Sequence, residues 1–159
     1  MPYMDNDSAE RFVRLYADII LRISFLYLKQ KQDAEDICQD VFLKLMLLDK
    51  DFESDDHEKA WIIRTTVNTC KDRIRKSSFR KTVPLDEIKE SCISEIPESN
   101  LLEKCMKLPE KYRISLFLHY YEGFKVNEIA SMLGKRPNTV SAYLSRGKKK
   151  LKSLLDREV

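Results

Sequence analysis

The chain has 159 residues, of which 43% are hydrophobic and 35% charged, with three glycines and five prolines. This composition excludes a disordered chain and is typical of a helix-rich globular protein with one ordinary domain or two small ones. The formal net charge is +3, but the net charge alternates along the chain: it is −6 over residues 1–60, +6 over 61–85, −4 over 86–104 and +7 over 105–159. This alternation favours two polyanion-binding regions and two acidic surfaces able to meet a basic protein.

Helical periodicity runs over residues 8–76, without the two-residue alternation of strands. In the segment DAEDICQDVFLKL, residues 33–45, the predicted core face comprises Ala34, Ile37, Cys38, Val41 and Leu45. The opposite face comprises Asp36, Gln39, Asp40 and Leu43. An acidic face around an exposed leucine suits docking to a basic protein surface, although a solvated face with one stray leucine has the same pattern.

The next helical segment, KAWIIRTTVNTCKDRIRK at residues 59–76, has two chemically different sides. Its predicted buried side comprises Ile63, Val67, Cys70 and Ile74. Its other side carries, at spacings of three and four, Trp61, Arg64, Asn68, Lys71 and Arg75. An indole, an amide and three cations can stack a base, bond its edge and hold its phosphates, which favours single-stranded or opened nucleic acid. The alternative is a core tryptophan beside solvated cations.

From Ser77 to Asn100 the chain holds two prolines, five serines and no sustained apolar face, which predicts a linker. The helical pattern returns at Leu101, and LPEKYRISLFLHYYEGF predicts a helix begun by Pro109 and ended near Gly123. The predicted core side of that helix comprises Ile114, Phe117 and Leu118.

A helix-turn-helix is predicted next. Val126, Ile129, Ala130 and Leu133 form one apolar stripe, Gly134 suits the positive φ that ends a helix, and Pro137 suits the first position of another. The predicted inner face of the second helix comprises Val140, Tyr143, Leu144, Gly147 and Leu151. The outward residues are Ala142, Ser145, Arg146 and Lys149, flanked by Ser141 and Lys152. In a major groove this face presents small side chains to base edges and cations to guanine or phosphate; a solvated face on a helical bundle is the alternative.

Enzyme chemistry and metal binding find no support in the sequence. His57 and His119 are isolated, no phosphate-binding glycine loop or nucleophile elbow occurs, and the four cysteines form no C-x-x-C pair. We therefore predict no catalysis, no cofactor and no metal, with reduced, buried thiols. The acidic, polar amino terminus and the absence of ~20 consecutive apolar residues predict no membrane insertion and a cytoplasmic location.

Three quoted segments resemble the extracytoplasmic-function (ECF) type of the sigma-70 family. DAEDICQDVFLKL is similar to its core-polymerase-binding segment, AWIIRTTVNTCKDRIRK to its minus-ten helix, and LPEKYRISLFLHYYEGFKVNEIASMLGKRPNTVSAYLSRGKKKLK to its minus-thirty-five domain. The resemblance implies an all-α fold of two small helical domains, a region 2 bundle at residues 1–80 and a region 4 helix-turn-helix at 101–159, joined by a flexible acidic linker at 81–100.

The resemblance also implies roles and partners. The clamp helices of core RNA polymerase would be met by Asp36, Gln39 and Asp40, and Leu43 would add apolar burial at the same contact. The flap of the polymerase would be a further contact. The melted minus-ten element would be contacted by Trp61 and Asn68, and its phosphates by Arg64, Lys71 and Arg75. The loop DKDFESDDHEK lies where the family captures a flipped base. Ser141, Ala142, Ser145 and Arg146 match base-reading positions in promoter DNA. The linker would thread the RNA channel, and an anti-sigma factor would cover the polymerase-binding faces of a nucleoid-associated protein.

Departures from the family pattern affect the promoter sequence that is read. Lys125 and Arg136 stand at serine-like cap positions, Ala142 and Tyr143 replace a common Ser-Arg pair, and Gly147 replaces an alanine. The acidic loop from Asp49 to Glu58 lacks the usual glycine-aromatic entry. The competing hypothesis is a stand-alone helix-turn-helix transcriptional regulator, which has no use for the row from Trp61 to Arg75.

Overall fold

The computed structural model describes residues 5–48, 51–77 and 100–157, and the regular elements among them are all helices, with no strand. They form two compact helical units, which confirms the all-α, two-unit prediction. The predicted linker at 81–100 lies almost entirely outside the described residues.

The first unit is a bundle of α1 (Asn6–Leu28), α2 (Lys31–Met46) and α3 (Asp55–Ser77), each packed against the other two. Helix α1 starts where the Asp5 side chain accepts a hydrogen bond from the Ser8 amide, at 2.8 Å. It ends at Lys29, whose left-handed φ of 63° lets its N–H reach the carbonyl of Phe25. The fully buried side chains at the centre of the bundle are Ile20, Ile23, Ile37, Val41, Ile62, Ile63 and Val67.

The acidic loop expected before α3 is shorter than predicted, and this is a correction. Residues 55–58 form the first helical turn, because the Ser54 hydroxyl accepts the His57 amide at 3.1 Å and the Ser54 carbonyl accepts the Glu58 amide. Acidic side chains in a first turn also interact favourably with the helix dipole. Within the described residues the loop is therefore confined to Leu48 and 51–54.

The second unit contains α4 (Asn100–Cys105), α5 (Glu110–Leu116), α6 (Val126–Leu133) and α7 (Pro137–Asp156). Helices α5 and α6 both pack on α7, around a fully buried core of Ile114, Leu118, Ile129 and Val140. The predicted helix that begins after Pro109 is confirmed, but its last turn, Phe117–Tyr121, widens into a π-helical turn. The Glu122 amide there reaches back five residues to the Phe117 carbonyl, and Phe117 is only partly buried.

The helix-turn-helix has the predicted bounds. Helix α6 ends at Gly134, whose φ is 66°, and α7 begins at Pro137. Lys125 and Arg136 precede α6 and α7 without a side-chain cap on either helix, although the Glu128 carboxylate accepts the Lys125 amide at 2.9 Å. The inner face of α7 is confirmed, with Val140, Leu144 and Gly147 buried and Tyr143 and Leu151 partly buried.

No helix within the described ranges is long and apolar enough to cross a membrane.

Candidate polymerase and promoter interfaces

The acidic face of α2 (Asp36, Gln39, Asp40 and Leu43) lies opposite the helix's buried side, as predicted. Gln39 and Asp40 are exposed, and Leu43 retains 52% of its accessible surface. Of the predicted core residues, Cys38 is partly buried and the other four are buried. The face presents charge around a large apolar side chain, a combination that steers and then holds a basic protein partner.

Two residues that the sequence analysis did not select extend this face. Met46 and Leu47 follow Leu43 by three and four residues and retain 37% and 62% of their accessible surfaces. The same helical spacing that selected Leu43 would have found them, but the selected segment stopped at Leu45. The exposed apolar surface therefore continues to the end of α2.

Asp36 differs from the rest of the acidic face because it already has a partner within the chain. Arg73 Nη2, from α3, lies 2.9 Å from Asp33 Oδ1 and 3.3 Å from Asp36 Oδ2. A second polar link joins the same helices, from Lys44 Nζ to Thr69 Oγ1 at 2.9 Å. Asp36 therefore both orients α2 on α3 and contributes charge at the surface.

The α3 row (Trp61, Arg64, Asn68, Lys71 and Arg75) follows one side of α3, as predicted. Arg64, Asn68 and Arg75 are exposed, whereas Trp61 and Lys71 are partly buried. Arg75 pairs with Asp72 one turn earlier. The row presents an amide and cations over about three helical turns, a length that suits several nucleotides of an unpaired strand.

Trp61 stands at the end of the row beside the loop that precedes α3. Its ring centroid is 5.7 Å from that of Phe52, which in turn lies 5.5 Å from the His57 ring. The Glu53 amide donates to His57 Nδ1 at 3.2 Å, so the loop is bonded to the first turn of the helix. An aromatic group held at the start of a cationic row can stack on a base.

The outward face of α7 (Ser141, Ala142, Ser145, Arg146 and Lys149) points away from the core of the second unit. Ala142 is partly buried and the other four residues are exposed. Further exposed cations on α7 are Lys148, Lys150 and Lys152. Small side chains beside Arg146 can approach base edges, while the lysines add charge for the phosphate backbone.

Two exposed tyrosines of the π-helical turn were not anticipated. Tyr120 and Tyr121 retain 58% and 61% of their accessible surfaces. The Phe117 and Tyr121 rings stack with centroids 5.0 Å apart, and Lys148 Nζ lies 5.7 Å above the Tyr120 ring. The widened turn redirects these side chains, so a regular 3.6-residue period could not have placed them.

The three cysteines within the described ranges are free thiols. Cys70 is buried, and Cys38 and Cys105 are partly buried. Burial, reinforced by the charge of Glu35, raises the pKa of Cys38 to about 11, and burial also raises the pKa of Cys105. Cys92 lies outside the described residues. Within them, no group of three histidine, cysteine or acidic side chains could hold a metal ion.

The fold and these faces define an all-α, DNA-binding protein with a carboxy-terminal helix-turn-helix. Comparison with known families matches "Sigma-70 region 2" to residues 12–80 and "Sigma-70, region 4" to residues 99–151. The chain belongs to the sigma-70 family and is a sigma factor of the ECF type.

Relatives span nearly the whole chain. The ECF RNA polymerase sigma factor SigW of Bacillus subtilis is 26% identical, over 95% of this chain and 90% of its own. The RNA polymerase sigma factor SigV of the same organism is 29% identical, over 86% and 84%.

Two solved structures share the fold. CnrH, in complex with the cytosolic domain of CnrY, has a TM-score of 0.70 at 21% identity and covers 98% of this chain and 92% of its own. The sigma factor RpoE of Bartonella quintana, in complex with the anti-sigma factor NepR, has a TM-score of 0.71 at 18% identity, over 92% and 96%.

Proposed function

We propose that this chain binds core RNA polymerase and directs promoter-specific initiation by reading two promoter elements with its two units. The observation that carries the proposal is the presence on one chain of an amide-and-cation row on α3 and a basic helix-turn-helix on α6 and α7. The first suits an opened strand, whereas the second suits duplex DNA. Residues 1–80 would form the minus-ten unit, 101–159 the minus-thirty-five unit and 81–100 the linker.

The acidic face of α2 is assigned to the polymerase clamp helices. Asp40 and Gln39 supply exposed polar contacts, and Leu43 supplies apolar area at their centre. Asp36 acts there as a shared group, since its carboxylate also binds Arg73 at 3.3 Å. In this docking mode the charge of Asp40 would steer the encounter with a basic surface, and burial of Leu43 would then hold the complex. The flap would hold the second unit.

The α3 row is assigned to the melted minus-ten element. Trp61 and Asn68 would contact bases, because stacking and edge recognition require an unpaired base. The phosphates would be bound by Arg64, Lys71 and Arg75, because cations bind the phosphates of any sequence. On α7, Ser141, Ala142, Ser145 and Arg146 would read the minus-thirty-five element and Lys149 its backbone. This division predicts sequence-selective losses at Arg146 and uniform losses at Lys149.

The chain would act without chemistry of its own, by lending specificity and duplex opening to the polymerase, in the cytoplasm and on the nucleoid. Control by an anti-sigma factor is part of the proposal, together with target genes that respond to stress or other signals. Control by an anti-sigma factor is supported by the two structural neighbours that were solved with CnrY and NepR and by the exposed Leu43 within the acidic face of α2. Recovery of polymerase alone from native lysate would count against the anti-sigma partner.

Run-off transcription on fragmented genomic DNA with purified core polymerase tests the assignment. Wild type should produce discrete start sites. Asp40→Lys should abolish them by reversing an exposed docking charge, and Asn68→Ala should weaken them. Asp40 is preferred to Asp36 because Asp36 also pairs with Arg73.

Asp18→Lys is the matched control for charge reversal. Asp18 is exposed on α1 of the same unit, and it pairs with Arg22, one helical turn away, at 2.9 Å. Start sites that survive Asp40→Lys, or disappear equally with Asp18→Lys, would contradict the docking assignment. No added transcription by wild type would favour the stand-alone regulator.

A further inference from the structure

Hydrogen bonds and ion pairs join the first turn of α3 to α1 through a polar cluster of four side chains, Arg11, Tyr16, Asp55 and Glu58. The Tyr16 hydroxyl donates to Glu58 Oε1 at 2.5 Å, and Arg11 Nη1 lies 3.3 Å from the same oxygen. The other arm of Arg11 lies 3.5 Å from Asp55 Oδ1. The cluster therefore joins residues more than 40 positions apart in the sequence.

Glu58 and Tyr16 are well buried, with 6% and 5% of their surfaces accessible. A buried carboxylate is costly unless hydrogen bonds and a cation compensate it, and a well-packed apolar side chain would stabilise the bundle at least as well. Burial and the bond to Glu58 raise the pKa of Tyr16, so its hydroxyl remains a donor. A hydrogen bond to a charged group has a defined length and direction, which apolar contact lacks.

The adjacent side of the same helical start carries the groups assigned to the opened strand. Trp61 follows Glu58 by three residues, which makes the two neighbours on the helix surface. Phe52 packs against both Trp61 and His57. Any change in the direction of the first turn therefore moves the Trp61 ring and the loop that packs on it.

We propose that Tyr16 and Glu58, with Arg11, are positioning residues for promoter opening, which hold the start of α3 so that Trp61 meets the unpaired strand in one orientation. The inference rests on the proposed function of the α3 row. Tyr16 and Glu58 act through Trp61, because their burial leaves no surface for DNA. Preorganisation of this kind accelerates a step by removing the need to order the groups during the step.

The test uses the full chain in holoenzyme with core polymerase, on a promoter found by run-off transcription. Tyr16→Phe removes the hydroxyl, and Glu58→Gln removes the charge while keeping an acceptor. Open-complex formation on duplex promoter, followed by permanganate reactivity, should slow roughly tenfold in Tyr16→Phe. Glu58→Gln should fall between Tyr16→Phe and wild type. On a template that is already unpaired at the minus-ten element, both variants should stay within about twofold of wild type.

Ile20→Val is the matched control for lost stability, since Ile20 is a fully buried α1 residue outside the cluster. It should lower the thermal midpoint without slowing opening. Tyr16→Phe should also lose most of its effect in a Trp61→Ala background, because the two changes act on one step. A merely structural role would give additive effects.

The outcomes separate the inference from the function on which it rests. If wild type does not initiate with core polymerase, the proposed function fails. If wild type initiates but Tyr16→Phe opens duplex promoter as fast as Ile20→Val, the positioning role is wrong and the function stands. Equal slowing on duplex and unpaired templates would overturn the positioning role as well.

Discussion

Gly147 lies where α7 crosses α5, and its missing side chain sets how closely the two helices approach. A Cβ atom added there would lie 3.1 Å from Tyr112 Cβ and 3.2 Å from Leu116 Cδ1. Favourable carbon contacts lie at about 3.5–4.0 Å. The end of the Leu116 side chain can rotate away, but Tyr112 Cβ is fixed to the backbone of α5. An alanine therefore requires α7 to move.

Two opposing terms determine the effect of Gly147→Ala. Alanine in place of a mid-helix glycine gains roughly 0.5–1 kcal/mol, whereas overpacking a close contact costs about 1–3 kcal/mol. We expect a net loss of about 0.5–2 kcal/mol in the free energy of unfolding of the second unit. Gly147→Val, which adds further bulk, should lose more.

Urea unfolding followed by two probes measures this loss in the correct unit. Trp61 is the only tryptophan in the chain and lies in the first unit, so its fluorescence follows that unit, whereas far-UV circular dichroism follows both. Gly147→Ala should shift the dichroism and leave the fluorescence transition unchanged. Ser153→Ala, at an exposed position of α7, is the control for helix propensity and should be slightly stabilising. A Gly147→Ala variant as stable as Ser153→Ala would refute the packing argument.

Four further measurements test other positions. Lys29→Gly should raise the stability of the first unit by about 0.5–1 kcal/mol in fluorescence-detected unfolding, because Lys29 has a φ of 63° that glycine adopts without strain; a loss would contradict that backbone conformation. Ser24→Ala should raise it by up to about 1 kcal/mol, since the buried Ser24 hydroxyl has no hydrogen-bond partner within the described ranges, and marked destabilisation would show that the hydroxyl is bonded. Burial and the charge of Glu35 raise the pKa of Cys38 to about 11. The stability that this thiol contributes is therefore present below its unfolded pKa, near 9, and is lost as the pH rises towards 11. Alkylation of Cys38, measured by peptide mapping, should be slow at pH 8, and rapid labelling at that pH would contradict its burial. Lys149→Gln should weaken promoter binding by the holoenzyme for all sequences and reduce the slope of log affinity against log salt by about 0.9, whereas an unchanged slope would remove Lys149 from the backbone contacts.

Helix faces were predictable because the 3.6-residue period decides which side chains share a side. The buried and exposed sides of α2, α3 and α7 follow from that period, with Ala142 partly buried at the edge of its predicted outward face. The helix-turn-helix bounds were equally local, since Gly134 and Pro137 each have a conformational preference that marks a helix end or start.

Contacts between distant residues were not predictable from that period. The pair of Arg73 with Asp36 and the bond from Tyr16 to Glu58 depend on how the three helices of the first unit pack. Periodicity reports which face a residue occupies, but it does not report which residue of another helix lies opposite.

The acidic run before α3 shows how local signals can compete. Its charges resemble a solvated loop, yet a single hydroxyl at Ser54 caps the helix and places residues 55–58 inside it. The π-helical turn at Phe117–Tyr121 is a similar case, because an i to i−5 hydrogen bond has no composition signal of its own.

Footprinting of one promoter fragment with the chain alone, with core polymerase alone and with both together tests whether the two units read a promoter only within the holoenzyme. The chain alone should protect neither element at physiological salt, because each unit offers few contacts until polymerase holds the two units on the same DNA. Together they should protect both the minus-thirty-five and minus-ten elements, with unpaired bases at the latter. Specific protection by the chain alone, unchanged when core polymerase is added, would contradict the account and identify a stand-alone regulator.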